Sequence, residues 1–307
     1  MKTHNNPLYL YIITTMLLFF NAIMLIFPKE ILAAAKNGLL LWYNNVVPSL
    51  LPFMIFTAML IGTGFPQRLG KLAKPLCRAV FNVSGEGSFA LVTGLMAGCP
   101  LGAKTVCDLY AEGLISKNEA ERLVMFCNNT GPLFVVGAVG GGMLQNGRTG
   151  LYILAVQYIS AFIIGIFTGL FSKRDKKRTA QRRTESKNMC ALLSASVMSG
   201  VNGITLVGGF IVLFSVICAI PQCLGIMPES TNLRGVLYGI LEVTNGSGVL
   251  TGTKKASLPL LCGIVSWGGF SIHAQSAAFM TDRGLSVKKY LLGKAAQGIL
   301  AFCISSI

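Results

Sequence analysis

Apolar stretches at residues 8–27, 46–62, 149–171, 204–220 and 290–307 are each close to the roughly 17–25 residues that carry a helix across a bilayer. A chain punctuated in this way must satisfy its backbone hydrogen bonds within each segment, which helices do. Charged residues make up only 12% of the 307, against about 25% in a soluble domain. No stretch between the apolar segments is long enough to bury a core of its own, so the chain reads as one membrane domain and not as a soluble enzyme. The segment 8–27 is followed by three alanines, 33–35, as a signal peptide would be. Its apolar core exceeds the roughly 7–15 residues of a signal, and it is expected to stay as a first span.

The net charge of +15 does not point to nucleic acid, because the basic residues sit in loops and not on an aromatic-bearing face. Topology and anionic lipid headgroups account for it. Nine cysteines include no CxxC pair and mostly lie in apolar runs, where small packed hydrophobes are expected rather than disulfides or metal ligands. Neither a metal nor another cofactor is implied.

Residues 172–187, SKRDKKRTAQRRTESK, carry eight Lys or Arg and two acids and mark a cytoplasmic linker by the positive-inside rule. A second basic loop, with Arg68, Lys71, Lys74 and Arg78, belongs on the same side. Between these anchors the chain must cross an even number of times, yet three candidate elements lie there. The element 86–113 is the one that fails to cross. Its arm 88–97 makes about 15 Å of helix, half the core of the bilayer, and then meets Gly98, Cys99, Pro100, Leu101 and Gly102, which break it. A re-entrant hairpin with a mid-membrane tip follows. The next helix opens on a capping box, Ser116 with Glu119, and is interrupted at 128–132, Asn-Asn-Thr-Gly-Pro, before resuming at 133–144.

The second half repeats this order: a long span (191–220), a hairpin (235–252, tip near Thr244, Asn245 and Gly246), a broken span (257–280, interrupted within 266–275) and a last span. Parity makes the repeats inverted. The expected fold is an all-α polytopic membrane protein of two inverted-topology repeats, each with a span, a re-entrant helical hairpin, a broken span and a further span, preceded by one extra N-terminal span. The segments are 1–30 for that span, 31–171 for the first repeat, 172–187 for the basic linker and 188–307 for the second repeat. The N-terminus is expected inside, and most of the 26 Lys and Arg then lie on the cytoplasmic face, with Lys254 and Lys255 as exceptions outside.

Inverted repeats with discontinuous helices build solute sites near the bilayer midplane. Asn128, Asn129 and Thr130 offer neutral donors and acceptors for an uncharged polar solute or a dehydrated cation; alternatively they satisfy backbone groups freed by Gly131 and Pro132. Glu242, beside the second tip with Thr244 and Asn245, is the first choice for coupling, since a carboxylate at that depth needs a partner, a proton or an ion; a headgroup-level bridge to a lysine is the alternative. Lys104, beside the first tip at Gly98, Pro100 and Gly102, meets either an anionic solute group or Asp108 one turn on. Ser271, His273 and Gln275 lie in the second break, where the histidine is either a ligand or a packing residue. Catalysis by Cys99 with His273 lacks an orienting third group, so no enzyme is expected.

The runs GLMAGCPLGAKTVCDLYAEGLISKNEAERLVMFCNNTGPLFVVGAVG (94–140) and WGGFSIHAQ (267–275) resemble sporulation integral membrane proteins of the YlbJ type. That family belongs to the nucleoside-recognition or Gate-domain group, related to the membrane cores of concentrative nucleoside transporters and ferrous-iron transporters. The likeness runs from about residue 31 onward. It implies a cytoplasmic-membrane protein of endospore-forming bacteria needed for the spore cortex, and it implies no particular substrate. The matching positions are Gly98, Pro100, Gly102, Ala103, Lys104, Asn128, Asn129, Gly131, Pro132, His273 and Gln275. Cys99 departs from the pattern, where an aromatic residue is expected.

The function these observations predict is small-solute transport or channel-like passage in sporulation, without an ATP-binding loop of its own. The alternative is a membrane scaffold that recruits cortex-building partners through the basic linker. The expected partners are the lipid bilayer, a small polar solute and other sporulation membrane proteins, with no nucleic acid; a homo-oligomer is left open.

Overall fold

The computed structural model describes residues 7–172, 188–252 and 257–307. The basic linker, Lys254, Lys255 and His4 lie outside them. Among the described residues every regular element is helical. Three helical stretches are long and apolar enough to cross a membrane: Pro28–Gly62 (35 residues), Gly147–Leu170 (24) and Met189–Cys223 (35).

Helix α1 (Pro7–Ile26) leads directly into α2 (Pro28–Leu41), whose Pro28 sits where a helix has no use for an N–H. A π turn, Trp42–Val46, joins α2 to α3 (Val47–Gly62). Pro48 explains the widening, because it cannot donate to the carbonyl four residues back, at Asn44. The expected span at 46–62 is therefore the second half of a continuous stretch. The amphipathic α4 (Phe65–Phe81) carries Arg68, Lys71, Lys74 and Arg78, and its Gly70 packs so closely on Gly85 that a Cβ on Gly85 would lie 2.1 Å from the Gly70 carbonyl oxygen.

Helices α5 (Gly87–Ala97) and α6 (Leu101–Ala111) form the first hairpin, turning at Gly98, Cys99 and Pro100. Its bounds fall within a residue or two of the sequence expectation. Next come α7 (Lys117–Cys127), a non-helical break at 128–131 and a π-helical segment, Leu133–Met143. Half of the capping box forms: Ser116 Oγ accepts from the Glu119 N–H at 3.2 Å, while the Glu119 carboxylate accepts from Ser84 N–H at 2.7 Å. Helix α8 (Gly147–Leu170) returns, and Gly150 lets its backbone rest on Gly140.

Helix α9 (Met189–Cys223) meets the expected long span at 191–220 to within three residues and contains the apolar core at 204–220. The second hairpin is α10 (Thr231–Leu241) and α11 (Val243–Thr251). Its turn is Glu242 itself, a correction to the expected tip at Thr244, Asn245 and Gly246, which belong to the first turn of α11. The physical reason is capping: both carboxylate oxygens of Glu242 accept from the backbone, Thr244 N–H at 2.9 Å and Asn245 N–H at 2.8 Å. Helices α12 (Leu258–Trp267) and α13 (Gly269–Asp282) follow. The interruption expected across 266–275 shrinks to Gly268 and Gly269, both at positive φ (+93° and +87°), so Ser271, His273 and Gln275 are helical. Helix α14 (Val287–Ser305) closes the chain.

One core joins α5, α6, α7 and α8 to the ends of α13 and α14 through Phe89, Leu123, Phe126, Met280 and Tyr290. A second joins the π segment and α8 to α11, α12 and α14 through Val135, Ile153, Leu261 and Ala301. Helices α2 and α3 pack along α9, where Met54, Leu101, Ile204 and Val207 meet.

Candidate functional site

Each hairpin turn is seated on the break of the following helix pair. At the first, Cys99 N–H donates to the Asn129 carbonyl at 2.6 Å. Gly98 has φ +84°, and a Cβ there would lie 2.4 Å from Gly131 N. A Cβ on Gly94 would come within 2.0 Å of the Cys127 carbonyl oxygen, so this seat accepts glycine alone. At the second, a Cβ on Gly269 would lie 3.1 Å from backbone atoms of Leu241, Glu242 and Val243, and Trp267 Nε1–H donates to the Ile240 carbonyl at 3.2 Å.

Both joints face a single cavity of about 1010 Å³. Cys99 and Pro100 of the first tip, Thr130 and Gly131 of the first break, Glu242, Thr244 and Asn245 of the second hairpin, and Ser271 and Gln275 of α13 lie in its wall. The opposite wall comes from α2, the π turn, α3 and α9, with Asn37, Asn45, Ser49 and Ser215 among apolar neighbours such as Phe53 and Val207. Among the described residues Glu242 is the one carboxylate in this wall, and no described lysine or arginine enters it.

Behind the first break lies a buried polar cluster. Asn128 Nδ2 donates to Ser276 Oγ at 2.8 Å and Tyr290 Oη at 2.9 Å, and its Oδ1 accepts from Ala103 N–H at 3.2 Å. His273 Nδ1 is 2.9 Å from the same Tyr290 oxygen, while its Nε2 has no hydrogen-bond partner among the described residues. Asn129 Oδ1 accepts from Lys294 Nζ at 3.2 Å and Gln297 Nε2 at 2.8 Å. Thr130 Oγ1 bonds Gln157 Oε1, and Gln157 Nε2 returns a bond to the Thr130 carbonyl at 2.8 Å. All these side chains are buried.

A family model described as Gate, nucleoside recognition, matches residues 44–172, the part that contains the first hairpin and the first break. The sporulation integral membrane protein YlbJ of Bacillus subtilis is 30% identical over 327 residues, covering 94% of this chain and 80% of that protein. The chain belongs to the YlbJ family. It is an integral membrane protein with a Gate domain. No solved structure matches it.

In this YlbJ family member the residues singled out from sequence separate into two groups, with Lys104 apart from both. Pro100, Thr130, Glu242, Thr244, Asn245, Ser271 and Gln275 line the cavity. Gly98, Gly102, Asn128, Asn129 and His273 stand behind it: the glycines as close backbone contacts, the others as members of the polar cluster. Lys104 is occupied elsewhere, by Asp108 Oδ2 at 2.7 Å and Ser199 Oγ at 2.9 Å. His273 reaches Tyr290 and packs on Trp267, with ring centroids 4.1 Å apart. Sequence reasoning missed Gln157, Tyr290, Lys294 and Gln297, together with the wall residues of α2 and α3. A signal was present for Lys294, an ionisable residue inside an apolar span.

Proposed function

We propose that this chain is a small-solute transporter or channel-like protein of the bacterial cytoplasmic membrane that serves spore cortex formation, and not an enzyme. The observation that carries the reading is that both hairpin turns, the first helix break and the helix that follows the second break, drawn from both halves of the sequence, open on one cavity. Polar groups freed at such breaks are the means by which membrane transporters hold a solute in mid-bilayer. The order of elements supports two inverted repeats: α2 and α3, hairpin α5–α6, the broken pair at 117–143 and α8; then α9, hairpin α10–α11, the broken pair α12–α13 and α14. With the N-terminus inside, the first hairpin enters from the cytoplasm and the second from outside. The wall of hydroxyls and amides among apolar side chains suits a small uncharged polar solute, and the Glu242 carboxylate disfavours an anionic one.

The test is the melting temperature of the detergent-purified protein across uridine, adenine, succinate, glucosamine and glycine, with Gln275→Ala beside it. A ligand at about 100 times its dissociation constant stabilises by roughly 2.7 kcal/mol. A rise with a neutral solute that Gln275→Ala removes, while its ligand-free melting stays near wild type, is the expected result. A rise with succinate alone overturns the preference for neutral solutes. No rise with any solute favours a scaffold that acts through the basic linker.

A further inference from the structure

Lys294 is 2% exposed in the middle of α14. Lys294 takes no part in the ion pairs of Lys104 with Asp108, Arg283 with Asp282 and Lys289 with Glu121. Its Nζ is held instead by two neutral oxygens, Gln297 Oε1 at 2.6 Å and Asn129 Oδ1 at 3.2 Å. The ionisable groups around it are Cys99 of the first tip, Cys127 at the end of α7, His273 of α13 and Tyr290 of α14. Helices α8 and α12 bring neutral groups to the cluster, the Gln157 carbonyl and the Val265 carbonyl.

An ammonium removed from water is costly unless oxygens replace its hydration. Here the replacement is two side-chain amide oxygens, Asn129 Oδ1 at the first helix break and Gln297 Oε1 one turn on in α14; oxygens gathered at a helix break are the means by which transporters hold an alkali cation, hard cations preferring oxygen ligands. The placement fits that role, since Asn129 also accepts from the tip through Cys99 N–H and its neighbour Thr130 faces the cavity. We propose that Lys294 is a built-in monovalent cation, its ammonium filling the position at the first break that a sodium or potassium ion would otherwise take. The polar backing of the cavity then requires no dissolved metal cation. That solute movement is consequently independent of sodium rests on the transport reading above; the occupancy itself does not.

The experiment uses the purified full chain without any solute, so its outcome is separate from the solute measurement. Melting temperature is compared in sodium, potassium and choline chloride at equal ionic strength. Wild type should melt alike in all three. Lys294→Ala should melt lower in choline and regain about 3 °C in sodium or potassium, as a vacated oxygen-lined space takes up the metal ion. Lys294→Ser, which adds an oxygen to that space, carries the same expectation and serves if the alanine variant does not accumulate folded. A sodium- or potassium-specific rise in wild type that Asn129→Ala removes would show that a metal ion shares these ligands and would overturn the proposal. Equal melting of a folded Lys294 variant in all three salts would overturn it too. If neither variant folds, the wild-type comparison decides by the same criterion.

Discussion

Asn128 is the residue on which the first break turns. It holds Ser276 and Tyr290 of the second half and receives the Ala103 N–H of the first hairpin. A buried donor or acceptor left without its partner costs about 1–3 kcal/mol, so Asn128→Ala should lower the melting temperature well below that of Gln275→Ala. Equal melting of the two in circular dichroism scans would mean that the cluster does not bind the halves together. The asparagines were legible in the sequence because a polar run ending in Gly131 and Pro132 interrupts an apolar helix. Lys294 and Gln297 were not, because apolar neighbours dominate the segment 290–307. Their spacing from Tyr290, four and seven residues, puts all three on one face of a helix, and a reading by face instead of by average would have found them.

Among the elements, the first hairpin was legible because Gly98 and Pro100 both break helices, whereas the second turn was misplaced by two residues. Leu241, Glu242 and Val243 contain no helix breaker, and nothing in that sequence says that a glutamate will cap α11 with its own carboxylate. A different carboxylate ties α7 to α14: Glu121 accepts from Ser286 N–H at 3.0 Å and from Lys289 Nζ at 2.7 Å. Its side chain is 5% exposed and that of Lys289 is 58% exposed. Solvent screens the lysine, so Lys289→Ala should cost under about 1 kcal/mol. Glu121→Ala also strips the Ser286 N–H and should cost about 2 kcal/mol. Chemical denaturation of the two variants checks the order, and a larger effect at Lys289 would contradict it.

Across the whole molecule, the even-crossing constraint between the two basic loops led to the hairpin at 87–111, and the structure does turn there. The contact of the two tips with one cavity was beyond sequence, since it depends on how α9 lies against α2 and α3. The proposed inverted arrangement makes a directional prediction. Ser306→Cys should react with a membrane-impermeant maleimide in intact protoplasts in a background whose native cysteines are replaced. Ser172→Cys should react only after permeabilisation. The reverse pattern would invert the assigned orientation, and labelling of both from outside would remove one crossing.

The four interruptions look, in the sequence, like places where the chain is loose. In the fold they are two joints in which backbone lies on backbone, Gly98 on Gly131 and Gly269 on Glu242, with no side chain between to slide or repack. A joint of that kind transmits displacement without absorbing it, so each hairpin must travel with its broken helix as one piece. The compliant boundary is then the opposite wall, where side chains of α2, α3 and α9 interdigitate around the π turn at Trp42–Val46. Any opening of the cavity to either side of the membrane would run along that seam.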